Sequence, residues 1–253
     1  MKDFNETKVF GNVHSIETFG AFDGPGLRYV LFLQGCPLKC KFCHNRDTWG
    51  TGTNKLMSVE EVLNDYDRYK AFYQNGGLTV SGGEATLQLE FLTELFKRAK
   101  QKGIHTCLDS SGATFSESRL GEFNDLLDYT DIVLLDIKHI DNEKHKWLTG
   151  AVNTNILKFA ELLNQRQIQT TIRHILLPNI NSQDEYVYKL RQYLDTLTNL
   201  VSIEVLPYHT KGITKWEQMG LTYELRGTPE PTEELVKHVE KILKSDYQFM
   251  INK

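Results

Sequence analysis

Short apolar runs alternate along the chain with longer stretches in which apolar residues recur at helical spacing. This alternation is typical of repeated strand-helix units built around a parallel sheet. Each apolar run is short and rich in β-branched residues, as expected of a strand buried on both faces. Six strands are predicted in this way, over residues 27–34, 77–80, 104–109, 131–138, 169–177 and 201–208. The predicted fold class is therefore α/β, with one (β/α)6 sheet curved into a partial, TIM-like barrel.

Helices are predicted in the gaps between these strands. Ser58 with Glu61, and Ser182 with Glu185, stand in the register of a capping box at the start of a helix. Both pairs are followed by apolar residues at helical spacing. Further helical patterns cover residues 89–101, 116–127 and 153–164. The helices would cover the outside of the curved sheet.

Nothing in the sequence divides the chain, because it has no internal repeat, low-complexity tract or Ser/Gly/Pro-rich linker. Barrel-type α/β domains of about 250 residues are common, and this chain has 253 residues. We therefore expect a single domain over residues 1–253. It would have an N-terminal extension at 1–15, its last strand near 201–208 and a C-terminal helix from about 231.

Composition and charge narrow the class of protein. Hydrophobic residues make up 40% of the chain and charged residues 25%, which excludes a disordered or disulfide-stapled chain. The formal net charge is -4 and no long block of like charge occurs, which disfavours nucleic acid and membrane surfaces as partners. No run of about 18 apolar residues predicts a transmembrane helix. We expect a soluble, cytoplasmic protein.

Polar and glycine-rich motifs follow the predicted strands. GCPLKCKFCHN follows the first strand, SGGEA the second and DSSG the third, while DIK closes the fourth and PYH the sixth. In parallel α/β folds the carboxyl ends of the strands form the binding face. These separate pieces of sequence would converge on one cavity. That convergence is the main argument from the sequence that the protein is an enzyme.

Three of the four cysteines have a C-x3-C-x2-C spacing. Cys36, Cys40 and Cys43 could hold a 4Fe-4S cluster on one loop and leave a coordination position open for a substrate. In a large chain this pattern indicates a metal or cluster site rather than disulfides. Two alternatives stay open. Cys107 could complete the set, although a Cys among apolar neighbours is usually a small buried hydrophobe, or His44 could be the fourth ligand of a structural zinc.

Charged groups within or just after the strands are weaker signals on their own. Asp109 and Asp136 could together hold a hard cation through oxygen ligands. Arg173 and His174 are adjacent in an apolar strand. One of them should therefore face the barrel interior, where an Arg needs a carboxylate partner. The three tryptophans are interpreted as aromatic residues of the core or its rim.

Taken together, the motifs resemble those of the radical S-adenosylmethionine (SAM) enzymes, and within them the activating enzymes of glycyl radical enzymes. The resemblance begins at about Ile16, extends to the C-terminus, and rests on DGPGLR, QGCPLKCKFCHNRDTW, SGGEATLQ, GIHTCLDSSG, LLDIK, LPYH and KWEQMG. The most specific part is the cysteine spacing with Phe42 before the third cysteine, followed by SGGE. This chain has DSSG where the family has DTNG, and DIK where it has DLK. Ser110 therefore keeps a hydroxyl, and Ser111 lacks the family's amide.

The resemblance implies a 4Fe-4S cluster and SAM as cofactors. Cys36, Cys40 and Cys43 would each bind one iron, and the amino and carboxylate groups of SAM would bind the fourth. The residues implied to surround SAM are Phe42, Cys43, His44, Gly82, Gly83, Glu84, Asp136, Ile137, Lys138 and His209. The implied ligands of a monovalent cation are Asp109, Ser110, Asp136 and the carbonyl of Leu134. Asp23 matches a position near the incoming protein substrate.

The reaction implied by the resemblance is radical formation on another protein. A reduced cluster would cleave SAM to a 5′-deoxyadenosyl radical, which takes a hydrogen from a glycine of the partner. The implied partners are pyruvate formate-lyase as the protein substrate and a flavodoxin or ferredoxin as the electron donor, and the chain is expected to be a monomer. Two other functions stay open: activation of a different glycyl radical enzyme, and a non-catalytic iron-sulfur or zinc-binding module.

Overall fold

A computed structural model describes residues 8–249 of the chain. These residues form one sheet of eight strands in the order β3-β1-β2-β4-β5-β6-β7-β8. The strands are β1 (Phe10–Gly20), β2 (Arg28–Leu33), β3 (Lys55–Ser58), β4 (Gly77–Gly82), β5 (His105–Ser110), β6 (Ile132–Asp136), β7 (Gln169–Leu176) and β8 (Leu200–Pro207). Strand β2 and strands β4 to β8 are parallel to one another, whereas β1 pairs antiparallel with β2 and β3. The sheet forms a partial TIM-like barrel whose edge strands are β3 and β8.

Eight α-helices of the described residues connect the strands or follow them. They are α1 (Val59–Tyr69), α2 (Leu89–Gln101), α3 (Leu120–Leu127), α4 (Asn142–Thr149), α5 (Thr154–Gln165), α6 (Asp184–Leu194), α7 (Ile213–Gln218) and α8 (Glu233–Lys244). Apolar side chains of the strands and helices form the main core, with Leu78 and Leu92 fully buried in it. In the part of the chain that the structure describes, no helix is both long and apolar enough to cross a membrane.

The six predicted strands are all present, and each end lies within two residues of its predicted position. The α/β class and the partial barrel are therefore confirmed. Strands β1 and β3 were not predicted. Because β1 starts at Phe10 and pairs along β2, residues 10–15 belong to the sheet and not to an N-terminal extension. Residues 1–7 of that expected extension lie outside the described residues.

The helix signals had mixed outcomes. The capping box at Ser58 is present, since its hydroxyl accepts from the Glu61 amide and the Glu61 carboxylate accepts from the Ser58 amide. The second predicted box is wrong. Helix α6 begins after Gln183, and the hydroxyl of Ser182 instead accepts a bond from the amide of Asn179 at 3.0 Å. This bond stabilises the turn before the helix.

Three helices also differ from the predicted pattern. The segment predicted as a helix from 116 opens with a 3-10 turn, and its α-helix starts only at Leu120. Helices α4 and α7 were not predicted, because each is short. The last helix starts at Glu233, and the Thr232 hydroxyl caps it by accepting from the amide of Leu235. This start lies close to the predicted residue 231.

The turn between β1 and β2, residues 21–27, lies on the concave side of the curved sheet. We name it the floor turn. The Thr79 hydroxyl on β4 donates to the Asp23 carbonyl at 2.7 Å. On β5, the Cys107 sulfur lies 3.0 Å from where a Cβ on Gly24 would stand. Arg173 on β7 donates to the carbonyl of Phe22. Contacts with three separate strands place this turn inside the barrel.

Candidate active site

The carboxyl ends of the parallel strands surround a cavity of about 460 Å³. The cysteine loop, residues 34–49, covers one side of it, and the floor turn reaches it through Asp23. Most of the site residues expected from the sequence line this cavity: Asp23, Cys36, Cys40, Phe42, Cys43, His44, Gly82, Gly83, Asp109, Ser110, Asp136, Lys138 and His209. The topology therefore brings together motifs that are far apart in the chain.

Three of the expected residues do not line the cavity. Leu134, whose carbonyl is an implied cation ligand, packs with Cys107 and Ile132. The other two are Ile137 and Glu84. The Ile137 side chain is 1% exposed and packs in the main core, and its carbonyl accepts a bond from His174 Nδ1 at 2.7 Å. Glu84 is likewise 1% exposed and absent from the cavity wall. The sequence places both next to cavity residues, but their side chains point elsewhere.

Hydrogen bonds to neighbouring backbone hold the cysteine loop in place. The amides of Lys39 and Lys41 donate to the carbonyls of Thr149 and Leu148 at the end of α4. The Cys43 amide donates to the carbonyl of Cys40 at 3.0 Å, which tightens the loop between these two residues. Helix α4, which the sequence did not predict, therefore supports the loop.

Burial controls the protonation of the loop thiols. It raises the pKa of Cys36 to about 12, and the nearby Glu84 carboxylate raises it further. Burial also raises the pKa of Cys40 to about 12, against the opposing effect of Lys138. Both groups are therefore protonated near neutral pH in the protein alone. A bound metal would be needed to convert them to thiolates.

The turn after β4 packs directly on the cysteine loop. Gly82 has φ +131°, and a Cβ there would lie 2.2 Å from the Leu33 carbonyl oxygen. A Cβ on Gly83 would lie 2.2 Å from the carbonyl oxygen of Gly35 and 2.9 Å from Cys36 Cβ. Only glycine fits at these two positions. Their bare backbone is consequently exposed to the cavity beside the first cysteine.

Five hydrogen bonds satisfy the Glu84 carboxylate. One oxygen accepts from the amide and hydroxyl of Thr86 and from the Ser110 hydroxyl, the last at 2.6 Å. The other accepts from the amide and hydroxyl of Ser111. Thr86 follows β4, whereas Ser110 is the last residue of β5 and Ser111 follows it. Glu84 therefore joins the turn after β4 to the turn after β5 and does not line the cavity.

Two acidic groups of the cavity are paired with cations. Lys138 Nζ lies 2.7 Å from Asp136 Oδ2, and Arg173 Nη1 lies 3.7 Å from Asp109 Oδ2. Arg173 is thus the residue of the Arg-His pair that faces the interior, with the expected carboxylate partner. Glu204 provides Arg173 with a second carboxylate at 3.0 Å.

The carboxyl groups are not equivalent in protonation. Burial raises the pKa of Asp109 to about 6; the charge of Asp136 adds to this effect and Arg173 opposes it. Burial also raises the pKa of Asp23, again opposed by Arg173. For Lys138 the effect of burial, which lowers its pKa, is outweighed by Asp136, so that the pKa is raised. Lys138 is consequently a permanent cation beside the cavity.

The expected cation ligands are bonded to other groups. Asp109 accepts from Ser81 at 2.7 Å, Ser110 donates to Glu84, and Asp136 pairs with Lys138. Among residues 8–249, no three His, Cys, Asp or Glu side chains converge as they would around a single ion. Both aspartates make these bonds through Oδ2.

The two alternative fourth ligands of the cysteine site differ in position: Cys107 lies outside the cavity, whereas His44 lines it, so the zinc alternative stays open. Cys107 is fully buried below the cavity, with Ile132 and Leu134, and does not line it. The ring of His44 stacks on His209 with centroids 4.2 Å apart, and its Nε2 lies 3.2 Å from the carbonyl oxygen of His209. His44 is thus held against the segment after β8. Burial, with the His209 ring, lowers the pKa of His44.

Comparison with known proteins identifies the family. The Radical SAM superfamily matches residues 30–191. The chain is 44% identical to a pyruvate formate-lyase-activating enzyme of Listeria monocytogenes, over 94% of this chain and 98% of the relative. It is 45% identical to the enzyme of that name from Staphylococcus epidermidis, over 90% and 92%. The chain belongs to the radical SAM superfamily.

A solved structure agrees with this membership. The structure of a domain of a pyruvate formate-lyase-activating enzyme from Bacteroides vulgatus matches with a TM-score of 0.55 at 25% identity. The match covers 67% of this chain and 93% of that domain. The chain is therefore a radical SAM enzyme by both sequence and fold.

The cavity fits the cofactors that superfamily membership implies, a 4Fe-4S cluster and SAM. Cysteine sulfurs are the usual ligands of such clusters, and three of them line the cavity. The exposed backbone of Gly82 and Gly83 lies beside these sulfurs, with no side chain in the way. The groups that line this cavity therefore suit both cofactors.

Proposed function

We propose that this protein activates pyruvate formate-lyase by generating its glycyl radical. Relatives named for this activity match the chain over nearly its whole length. The observation that carries the proposal is the loop of three free thiols that line one cavity, folded against the bare backbone of Gly82 and Gly83. This arrangement leaves room beside the thiols for a second ligand.

The chain's own residues would bind and orient the cofactors. When bound, the reduced cluster and SAM supply a 5′-deoxyadenosyl radical that can remove a hydrogen from a glycine Cα. Cys36, Cys40 and Cys43 would each hold one iron. The backbone of Gly82 and Gly83 would receive the amino end of SAM.

Cavity side chains would orient the rest of SAM. Lys138, a buried cation held by Asp136, would contact the carboxylate and nucleoside parts. Phe42 and His44 would border the adenine, and His209 would lie near the adenosyl group. The stacked rings of His44 and His209 support this assignment, because they form a flat surface at the cavity wall. For Glu84 and Ile137 we propose supporting roles in the wall instead of direct contact.

The proposed protein partners and cellular location are those that the family resemblance implies. Pyruvate formate-lyase would present its glycine at the cavity, and a flavodoxin or ferredoxin would supply the electron. We expect a monomeric, cytoplasmic protein. A monovalent cation at Asp109, Ser110 and Asp136 stays a prediction, since Arg173 and Lys138 now neutralise the two carboxylates.

Electron paramagnetic resonance tests the proposed activity. The protein would be reconstituted anaerobically with iron and sulfide, reduced, and measured with and without SAM. A changed spectrum, followed by 5′-deoxyadenosine and by a glycyl radical on pyruvate formate-lyase, is the expected result. A radical on a different glycyl radical enzyme alone would change the partner. Tightly bound zinc, or a cluster signal indifferent to SAM, would favour a binding module.

Asp23 tests the approach of the protein substrate. Its pKa is raised by burial and it projects from the floor turn to the cavity. Asp23→Ala should reduce glycyl radical formation at least tenfold more than SAM cleavage in the absence of a partner. Asp128→Ala, at an exposed residue that ends α3 and does not line the cavity, is the control and should change neither rate. Equal losses in both reactions would argue against a role toward the partner.

A further inference from the structure

Two indole groups point at Cys43. Nε1 of Trp49 donates a hydrogen bond to the Cys43 sulfur, with 3.3 Å between nitrogen and sulfur. Nε1 of Trp216 donates to the carbonyl oxygen of the same cysteine at 2.7 Å. The first bond is made to the sulfur, the atom that would bind iron. The second is made to the backbone of the same residue. The chain therefore offers a natural pair of variants in which these two kinds of contact can be compared.

The position of the Trp49 ring is fixed by its neighbours. Its ring meets that of Trp216 edge to face, with centroids 5.7 Å apart and planes at 87°. The Arg46 guanidinium lies 3.8 Å from the Trp49 centroid and Lys39 Nζ lies 4.8 Å from it. Trp216 itself is 4% exposed and packs against Tyr223. With several ring contacts in place, the indole N–H is held toward the sulfur.

A donor in this place affects the electron affinity of an iron-sulfur cluster. Reduction adds negative charge to the cluster and its sulfurs, so a hydrogen bond to a sulfur stabilises the reduced state more than the oxidised state. Such bonds, together with solvent exposure, are among the main determinants of cluster reduction potentials. Trp49 satisfies the geometric condition without any rearrangement of the chain.

We propose that Trp49 is a positioning residue that makes a cluster held at Cys43 easier to reduce. The proposal rests on the proposed function, because it requires the cysteine loop to bind the cluster. It assigns Trp49 an electronic role toward the cluster, beyond that of a rim aromatic. Trp216 has the different role of holding the backbone of the same cysteine.

A redox titration of the SAM-free holoenzyme, followed by electron paramagnetic resonance, tests this role. Trp49→Phe keeps a ring among its neighbours and removes only the donor. Its equilibrium constant for cluster reduction should fall by up to tenfold, which for a one-electron couple is a 59 mV shift to more negative potential. Trp216→Phe removes a bond to a carbonyl and should shift the potential less. Trp49→His, which keeps a ring N–H, should recover part of the change.

Isotope labelling provides a measurement that needs no variant. With 15N placed in the tryptophan indoles, the reduced cluster should show a 15N coupling in pulsed electron paramagnetic resonance. The coupling should be lost in Trp49→Phe and kept in Trp216→Phe. An unchanged potential in Trp49→Phe, an equal shift in Trp216→Phe, or no 15N coupling would each overturn the proposal.

The two proposals fail in different ways. If the cluster assembles and SAM changes its spectrum while Trp49 has no effect, only the role of Trp49 is disproved. If no cluster assembles in the unmodified protein, the proposed function fails and the role of Trp49 fails with it. Iron content and the SAM response of the unmodified protein, measured before any variant, separate these results.

Discussion

At the amino end of the barrel, the buried Arg28 side chain donates hydrogen bonds to groups on neighbouring strands and turns. At the carboxyl end, by contrast, several charged groups line one cavity. Arg28 is fully buried. Its bonds go to the Thr79 hydroxyl, the Pro25 and Leu78 carbonyls, and the ring and carbonyl of His105. The Arg28 guanidinium links β2, β4 and β5 near their amino ends, and Arg28 does not line the cavity at the carboxyl end.

The carboxyl end is built differently. Its thiols and the carboxyl group of Asp109 have raised pKa values because burial is not fully compensated. Such perturbed groups are typical of a site that awaits a ligand. Burial also lowers the pKa of Arg28 and raises that of Cys107, so a shifted pKa alone does not mark the functional end. The two ends differ in position and pairing: the donors of Arg28 are bonded within the protein, whereas the loop thiols and Asp109 line a cavity.

The largest contrast is expected between two buried cysteines. Cys40→Ala removes a sulfur from the cavity and should abolish SAM cleavage, because the cluster would lose one ligand. Cys107→Ala removes a sulfur below the cavity and should retain cleavage. Chromatographic detection of 5′-deoxyadenosine under anaerobic, reducing conditions measures both. Cleavage retained by the Cys40 variant would refute the ligand assignment.

The next largest effect concerns the amino end. Arg28→Met leaves several buried acceptors without a donor and should lower the free energy of unfolding by about 3 kcal/mol. Arg68→Met is the control, since the Arg68 side chain is 72% exposed, and it should change stability by less than about 0.5 kcal/mol. Urea unfolding measures both. A loss in Arg28→Met as small as that of the control would remove the distinction drawn between the two ends.

The smallest expected effect lies in the barrel wall. His174 is buried, its Nδ1 faces the Ile137 carbonyl at 2.7 Å, and its Nε2 has no partner among the described residues. Burial lowers its pKa from 6.5 to about 4. The neutral ring therefore stabilises the fold fully above pH 6.5, and this contribution is lost as the pH falls toward 4.

A variant isolates this dependence. Between pH 6.5 and 5, His174 should account for a fall of about 2 kcal/mol in the free energy of unfolding. His174→Gln should reduce the fall by that amount, whereas His238→Gln, on the exposed side of α8, should change it less. Urea unfolding at pH 5, 6 and 7 measures the difference. An unaltered pH profile in His174→Gln would mean that the ring is protonated as easily in the fold as in the unfolded chain.

The sequence predicted the six parallel strands because each is a short apolar run, a pattern that is typical of a buried strand. It did not reveal β1, which is buried only at some positions, such as Val13, and has polar residues between them. Strand β3 has four residues, too few for a clear period. Both strands depend on pairing partners that are distant in the chain, and local pattern carries no information about them.

The sequence predicted which residues form the site better than it predicted the orientation of their side chains. The motifs do meet at one cavity, as parallel topology requires. Glu84, however, points away from it, because Thr86, Ser110 and Ser111 together supply five donors and two of these residues come from another strand. The contact of Trp49 with Cys43 depends on the path of the loop between them. Neither orientation can be read from spacing alone.

The floor turn lies outside the stretch of the chain that matches the superfamily, and it is not the only part of the site that does. The match to the superfamily covers residues 30–191, and the floor turn precedes this shared stretch. His209 and Trp216 follow it. The base of the cavity and one of its walls thus come from the two ends of the chain, whereas the shared middle stretch carries the cysteines and glycines. Because Trp216 donates to the Cys43 carbonyl and His209 stacks on His44, a substitution at the carboxyl end of the chain would act on the cysteine loop itself.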